Sequence, residues 1–166
     1  RVREPQAPDV LHLLTDFELM ILLAILRVGD DAYGVPIGRE IEEVGGRTVT
    51  RAALYTALDR MNLAVQTCLD YLRHVGIGWD PHPGRDAARA EYDALLQGIG
   101  GAPIETLVDL PLLDDAGLAA TMNVLTAVLP PAFFSDENLV CLVLCRMANL
   151  SLLYGNSDAS SLGYAY

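Results

Sequence analysis

The residues with the clearest chemistry lie in one stretch, Gly46–Met61, which reads GRTVTRAALYTALDRM. Arg47, Arg51 and Arg60 bring positive charge, Tyr55 an aromatic ring with a hydroxyl, and Thr50 a small hydroxyl just ahead of a run of helix formers. Thr50 is a candidate N-cap. Behind it Ala53, Leu54, Ala57, Leu58 and Met61 recur at three- and four-residue spacing, which sets one apolar stripe along a helix. The arginines and the tyrosine fall off that stripe. A short helix with an apolar back and an Arg/Tyr front suits docking on a phosphate backbone. An ordinary solvated amphipathic helix shows the same periodicity, so the preceding elements decide the reading.

Thr15–Val28 (TDFELMILLAILRV) predicts a strongly apolar helix, opened by Thr15 and Glu18 at capping-box spacing. Gly29, Asp30 and Asp31 break it. Ala32–Val44 predicts a second helix, with Val35, Ile37, Ile41 and Val44 available to face the first, and Gly45 and Gly46 stop it. Three helices in some fifty residues, the last with a basic and aromatic face, fit the helix-turn-helix plan.

On these residues the chain resembles the PadR family of winged helix-turn-helix transcriptional regulators. The resemblance runs over roughly residues 12–61 and is carried by Leu22, Leu23 and Leu26, by Ala32-Tyr33-Gly34, Ile37 and Ile41, and by Leu54-Tyr55, Leu58 and Arg60. It implies that the Thr50 helix is a recognition helix with Arg51 and Tyr55 at the DNA and Arg47, Thr50 and Arg60 close by. The family continues with a Gly, a two-stranded basic wing and a long dimerisation helix. Here Asn62–Leu69 (NLAVQTCL) follows instead, helical in pattern and without a wing.

Composition narrows the function further. The 166 residues are 52% hydrophobic and 20% charged, which marks a globular chain. The net charge is −11, and its spread is uneven. Up to Met61 seven arginines face ten acids, a net −3; from Asn62 onward four arginines face twelve acids, a net −8. Such a balance repels a polyanion at long range, so DNA binding has to rest on a local patch and is expected to be weak. There is no lysine, which excludes a Walker A loop, a Schiff-base lysine and the lysine of a kinase ATP site. The chain is therefore expected to use no nucleotide and no other cofactor, and no nucleophile–base pair marks it as an enzyme. The longest unbroken apolar run, Leu19–Leu26, is too short to cross a bilayer, and no secretory signal opens the chain. A cytoplasmic location away from any membrane is the expectation. A start without methionine and an end at Tyr164-Ala165-Tyr166 suggest a fragment.

Cys141 and Cys145 share a helix face, but no histidine or second cysteine pair lies near them in sequence. The cysteines are expected to be small buried apolar residues, with no metal site. His12, His74 and His82 are scattered, and the Asn149-Leu150-Ser151 triplet falls inside an apolar helix and is set aside as a glycosylation acceptor.

The second half predicts helices at Asn62–Ile77 (stripe Val65, Leu69, Leu72, Val75), Arg85–Leu96 (Ala88, Tyr92, Leu95 and Leu96 buried) and Ile104–Leu110, the last a short segment. Two more follow: Asp114–Leu129, stopped by Pro130-Pro131, and a long one opened by Ser135 and Glu137 and ended by Gly155-Asn156. Gly98–Gly101 follows a helix and precedes Pro103, so it reads as a turn and not as a phosphate loop. This half resembles the helical, tetratricopeptide-like region of large bacterial signalling proteins that combine an AAA-type ATPase with kinase modules. Ile104-Glu105, Leu107, Leu110-Pro111, Pro130-Pro131-Ala132, Asn149–Leu152 and Tyr154–Ser157 carry that resemblance, over about residues 62–166. It implies interaction and scaffolding, not chemistry.

The expected architecture is all-α: a helix-turn-helix head at 1–61 without a wing, then a truncated, repeat-like helical layer at 62–166. The expected function is a PadR-type DNA-binding module joined to a helical signalling segment; the alternative is a helical interaction fragment that does not touch DNA. Exposed apolar surface on Leu139–Leu153 is expected to drive self-association.

Overall fold

A computed structural model describes residues 15–29 and 34–165. It is all-helical; among the described residues the one extended feature is an isolated parallel bridge between Leu112 and Asn156. By its contacts the chain divides into two units, Arg1–Ala57 and Leu58–Tyr166.

In the first unit, α1 (Asp16–Val28) begins as its sequence requires. The Glu18 N–H donates to Thr15 Oγ1 at 3.3 Å, and the Thr15 N–H donates to Glu18 Oε2 at 2.8 Å. This reciprocal box satisfies two donors that the first helical turn would otherwise leave open. Helix α2 (Gly34–Gly45) packs on α1; the expected start at Ala32 and Tyr33 lies outside the described residues. Ile21 and Ala24 of α1 and Ile37 and Ile41 of α2 are buried, while Val35 and Val44, expected to face α1, are exposed. Val35 falls about 160° round the helix from Ile37, and Val44 sits in the last turn of α2. Arg27 Nε lies 2.6 Å from Glu40 Oε1 across α1 and α2, close but not aligned as a hydrogen bond.

Helix α3 (Arg51–His74) is a single 24-residue helix. The resemblances predict two elements divided at Met61/Asn62; no glycine or proline breaks the chain there, so the helix continues through that point. The division between the two units falls inside it, at Ala57/Leu58.

The second unit is built around α6 (Glu137–Tyr154), against which α4 (Arg85–Ile99), α5 (Ala116–Ala132) and the short α7 (Ser160–Tyr164) all pack. Its core combines Val65, Leu69 and Leu72 of α3 with residues of α5 and α6 such as Leu125, Val128, Leu139, Val143 and Met147. A repeat array would have each pair of helices lean on its chain neighbours. Here α4 leans on α6, past α5, in a bundle with a central helix. Val75, expected in the α3 stripe, is exposed beyond the helix end, where Gly76 turns the chain at φ 89°.

Helix α5 runs through Pro130 and Pro131 instead of stopping before them. Both prolines fall in the last turn, their fixed φ suits a helix, and their missing N–H groups cost only its final bonds. Burial of Leu129, Pro131 and Ala132 holds that turn in the core. Asp115 caps the start of α5 and Asp136, not Ser135, caps α6; each carboxylate accepts backbone N–H bonds at 2.8 Å. Helix α4 extends to Ile99, so Gly98 belongs to it, and Gly100 ends it in a left-handed conformation with its N–H on the Leu96 carbonyl. These glycines form a helix stop.

Helix α6 has the length and composition to cross a membrane, yet it is the core helix of this unit. Within Leu139–Leu153 the one exposed large hydrophobic is Leu153. Much of the apolar surface expected to drive self-association is packed against α4, α5 and α7.

Candidate nucleic-acid interface

The candidate interface starts at the cap of α3. The Ala53 N–H donates to Thr50 Oγ1 at 3.2 Å and the Leu54 N–H to the Thr50 carbonyl at 3.1 Å, so Thr50 closes the first turn as its position predicts. Thr50 thereby serves the helix end, and its side chain is an acceptor already in use. Leu54, Ala57 and Met61 are buried, Leu58 is half-buried, and Ala53 is exposed. The real stripe is thus narrower than the periodic one and turns the rest of the helix surface outward.

Arg51 and Tyr55 stand one turn apart and are both exposed. Arg47, ahead of the cap, is exposed as well, and no ion pair among the described residues engages Arg47, Arg51 or Arg60. Arg60 is nine residues further along the sequence than Arg51 and lies in the second unit. The expected four-residue front separates into Arg47, Arg51 and Tyr55 within the first unit and Arg60 apart from them.

Tyr55 has a second role that its sequence position did not show. Its ring tip lies over Gly34, where a Cβ would come within 2.5 Å of Oη and 2.7 Å of Cζ. Gly34 is required for that close approach, and Tyr55 ties the start of α2 to the first turns of α3. About half of the tyrosine surface remains exposed.

A second site was not visible in the sequence. In the second unit α4, α6, α7 and the 3₁₀ turn Ile104–Asp109 enclose an apolar groove of about 550 Å³. Tyr92 and Leu96, expected to be buried, are exposed and line it, together with Leu144, Ala148, Cys141 and Cys145. The two cysteine sulfurs are 4.0 Å apart. Cys145 is buried, and that desolvation, with Cys141 beside it, pushes its thiol up to about 12. Burial also raises the Cys68 thiol and the Tyr164 hydroxyl.

Polar groups fasten the walls of this groove. Glu91 of α4 accepts from Arg146 Nη2 at 2.9 Å and from Asn149 Nδ2 at 2.8 Å, both on α6, and Arg146 lies 5.8 Å from the ring centre of Trp79. Asn156 does the same at the other end. Its side chain donates to the Leu107 carbonyl at 2.7 Å and accepts from Tyr164 Oη at 2.8 Å, while its backbone N–H donates to the Pro111 carbonyl at 2.7 Å. Gly155 passes so close to the Pro111 carbonyl, at φ 108°, that no Cβ would fit. Leu107, Pro111, Gly155 and Asn156, all carriers of the second resemblance, meet in this one clasp. Gly163 of α7 lies against the α6 backbone, where a Cβ would come within 2.8 Å of the Ala148 nitrogen.

No family model matches the chain, and no curated protein or solved structure shows significant similarity to it.

Proposed function

We propose that the first unit is a DNA-binding module of PadR type and that the second is a helical interaction segment joined to it. One observation carries this reading: a Thr50-capped helix start that leaves Arg51 exposed beside Tyr55, with Arg47 just ahead and no acid among the described residues pairing either arginine. Unpaired guanidinium groups at a helix N-terminus complement phosphate oxygens. Without a wing, and with a net −8 beyond Met61, binding should stay in the non-specific range, on the order of 10⁻⁴ to 10⁻⁶ M. A regulator of this kind works in the cytoplasm and carries out no catalysis.

The test is fluorescence anisotropy with a labelled duplex over a salt series. Wild type should bind at about 50 mM salt and weaken steeply as salt rises. Arg51→Ala should bind less tightly and flatten the salt slope by roughly one charge. Absence of binding by wild type at low salt sinks the DNA reading. The interaction-fragment reading then stands, favoured by the acidic second unit and its apolar groove.

A further inference from the structure

The groove of the second unit holds two sulfur atoms in a largely apolar wall. Cys141 and Cys145 lie one turn apart on α6, and both line the cavity. Residues at that spacing have Cβ atoms about 5–6 Å apart, whereas a disulfide needs about 3.5–4.5 Å. The pair is therefore badly placed to bond to itself without distorting the core helix. Its sulfurs, 4.0 Å apart, are well placed to share one atom between them. Two bonds of about 2.3 Å, the length of a metal–thiolate bond, span that separation at an open angle.

The surroundings select which atom. Among the described residues no third His, Cys, Asp or Glu completes a metal-binding group, so a zinc ion would lack half of its tetrahedral shell. A monovalent soft ion on two thiolates would leave a negative charge in an apolar groove of an acidic unit, with Glu91 close enough to oppose ionisation of Cys145. What fits is a centre satisfied by two thiols, neutral once bound, and carrying an apolar group to occupy the rest of the 550 Å³.

We propose that Cys141 and Cys145 form a dithiol capture site for a thiophilic centre bearing an apolar substituent, of which a monoorgano trivalent arsenical is the type. In the capture step R–As=O reacts with the two thiols. Both S–H bonds and the arsenic–oxygen double bond break, two As–S bonds form, and the protons leave with the oxygen as one water. Arsenic keeps its oxidation state, so no oxidant or reductant takes part. The organic group lies in the groove between α4 and α6. The site is independent of DNA binding.

Phenylarsine oxide, titrated into the full chain and followed by intact mass spectrometry and calorimetry, tests this. One equivalent should bind, and the mass gained should be that of the reagent less one water. A gain of the whole reagent would mean attachment through one thiol and would overturn the proposal without any variant. Cys141→Ser and Cys145→Ala, each checked for helix content, should weaken binding by about 10²-fold or more, because the second bond is intramolecular. Cys68→Ser should leave it unchanged; loss of binding there would overturn the proposal. Inorganic arsenite, which lacks the ring, should bind at least about tenfold more weakly. Equal affinity would remove the groove from the proposal.

Discussion

At the scale of single residues, Glu91 shows how much of the second unit rests on one polar group. It faces the core side of α4 with a side chain only 12% exposed and answers both Arg146 and Asn149. Arg146 Nε is already buried without a hydrogen-bond partner. Removing the carboxylate would take the acceptor from Arg146 Nη2 and leave the Asn149 amide only its 3.2 Å bond to the Glu91 backbone carbonyl, and a buried donor that loses its acceptor costs more than the bond it made. Glu91→Ala should therefore destabilise the chain by roughly 1–3 kcal/mol, read from the midpoint of urea unfolding. Glu91→Gln keeps an acceptor for Asn149 and should lose less. If the two variants unfold at the same midpoint, the network contributes little beyond packing. In sequence Asn149 reads as part of an unused glycosylation triplet and of the second resemblance, with no structural partner in view. Its role as a strut to α4 depends on a partner 58 residues away, which no local pattern reveals.

At the scale of elements, local caps such as Thr15 and Thr50 are legible in the sequence, while the Pro130-Pro131 stop and the apolar faces are less so. Thr15 with Glu18, Thr50, Asp115 and Gly100 act through bonds that span three or four residues, and such bonds are written in local spacing. Which apolar residues are covered depends on what the fold brings alongside. Val35, Val44 and Tyr92 have the right period and remain exposed, and α7 is too short to announce itself by periodicity. The groove is assembled from residues 92–164 and so has no signature in any one segment. Helix α3 gives a direct test of stripe against burial. Leu54 and Leu58 belong to the same periodic pattern, but Leu54 is 1% exposed and Leu58 is half-buried. Leu54→Ala should cost roughly 2–5 kcal/mol, and Leu58→Ala about half of that or less. Equal losses in thermal or urea unfolding would show that the sequence pattern describes the helix better than its burial does.

At the scale of the whole molecule, the protonation of the second unit sets a limit in alkaline solution. Cys145, Cys68 and Tyr164 all have proton affinities raised by burial, so the folded chain keeps protons that the unfolded chain releases sooner. Their contribution is complete below the ordinary thiol value and is lost as pH climbs from about 9 toward about 12. Stability should accordingly fall between about pH 9 and about pH 12, and Cys145→Ala should shrink that fall while leaving the neutral-pH fold in place. A drop of the same size in the variant would assign the loss to general charge repulsion in a chain of net charge −11.

The central position of α6 also fixes an order of events during synthesis. Glu91 emerges from the ribosome 58 residues before Asn149, the partner that fastens it. At about 5–20 residues per second that is a wait of roughly 3–12 s. Throughout it the apolar flank of α4 has nothing to lie against, because the helix that covers it has not yet been made. The packing that α6 gives to α4 is therefore available only after residue 154 has been made.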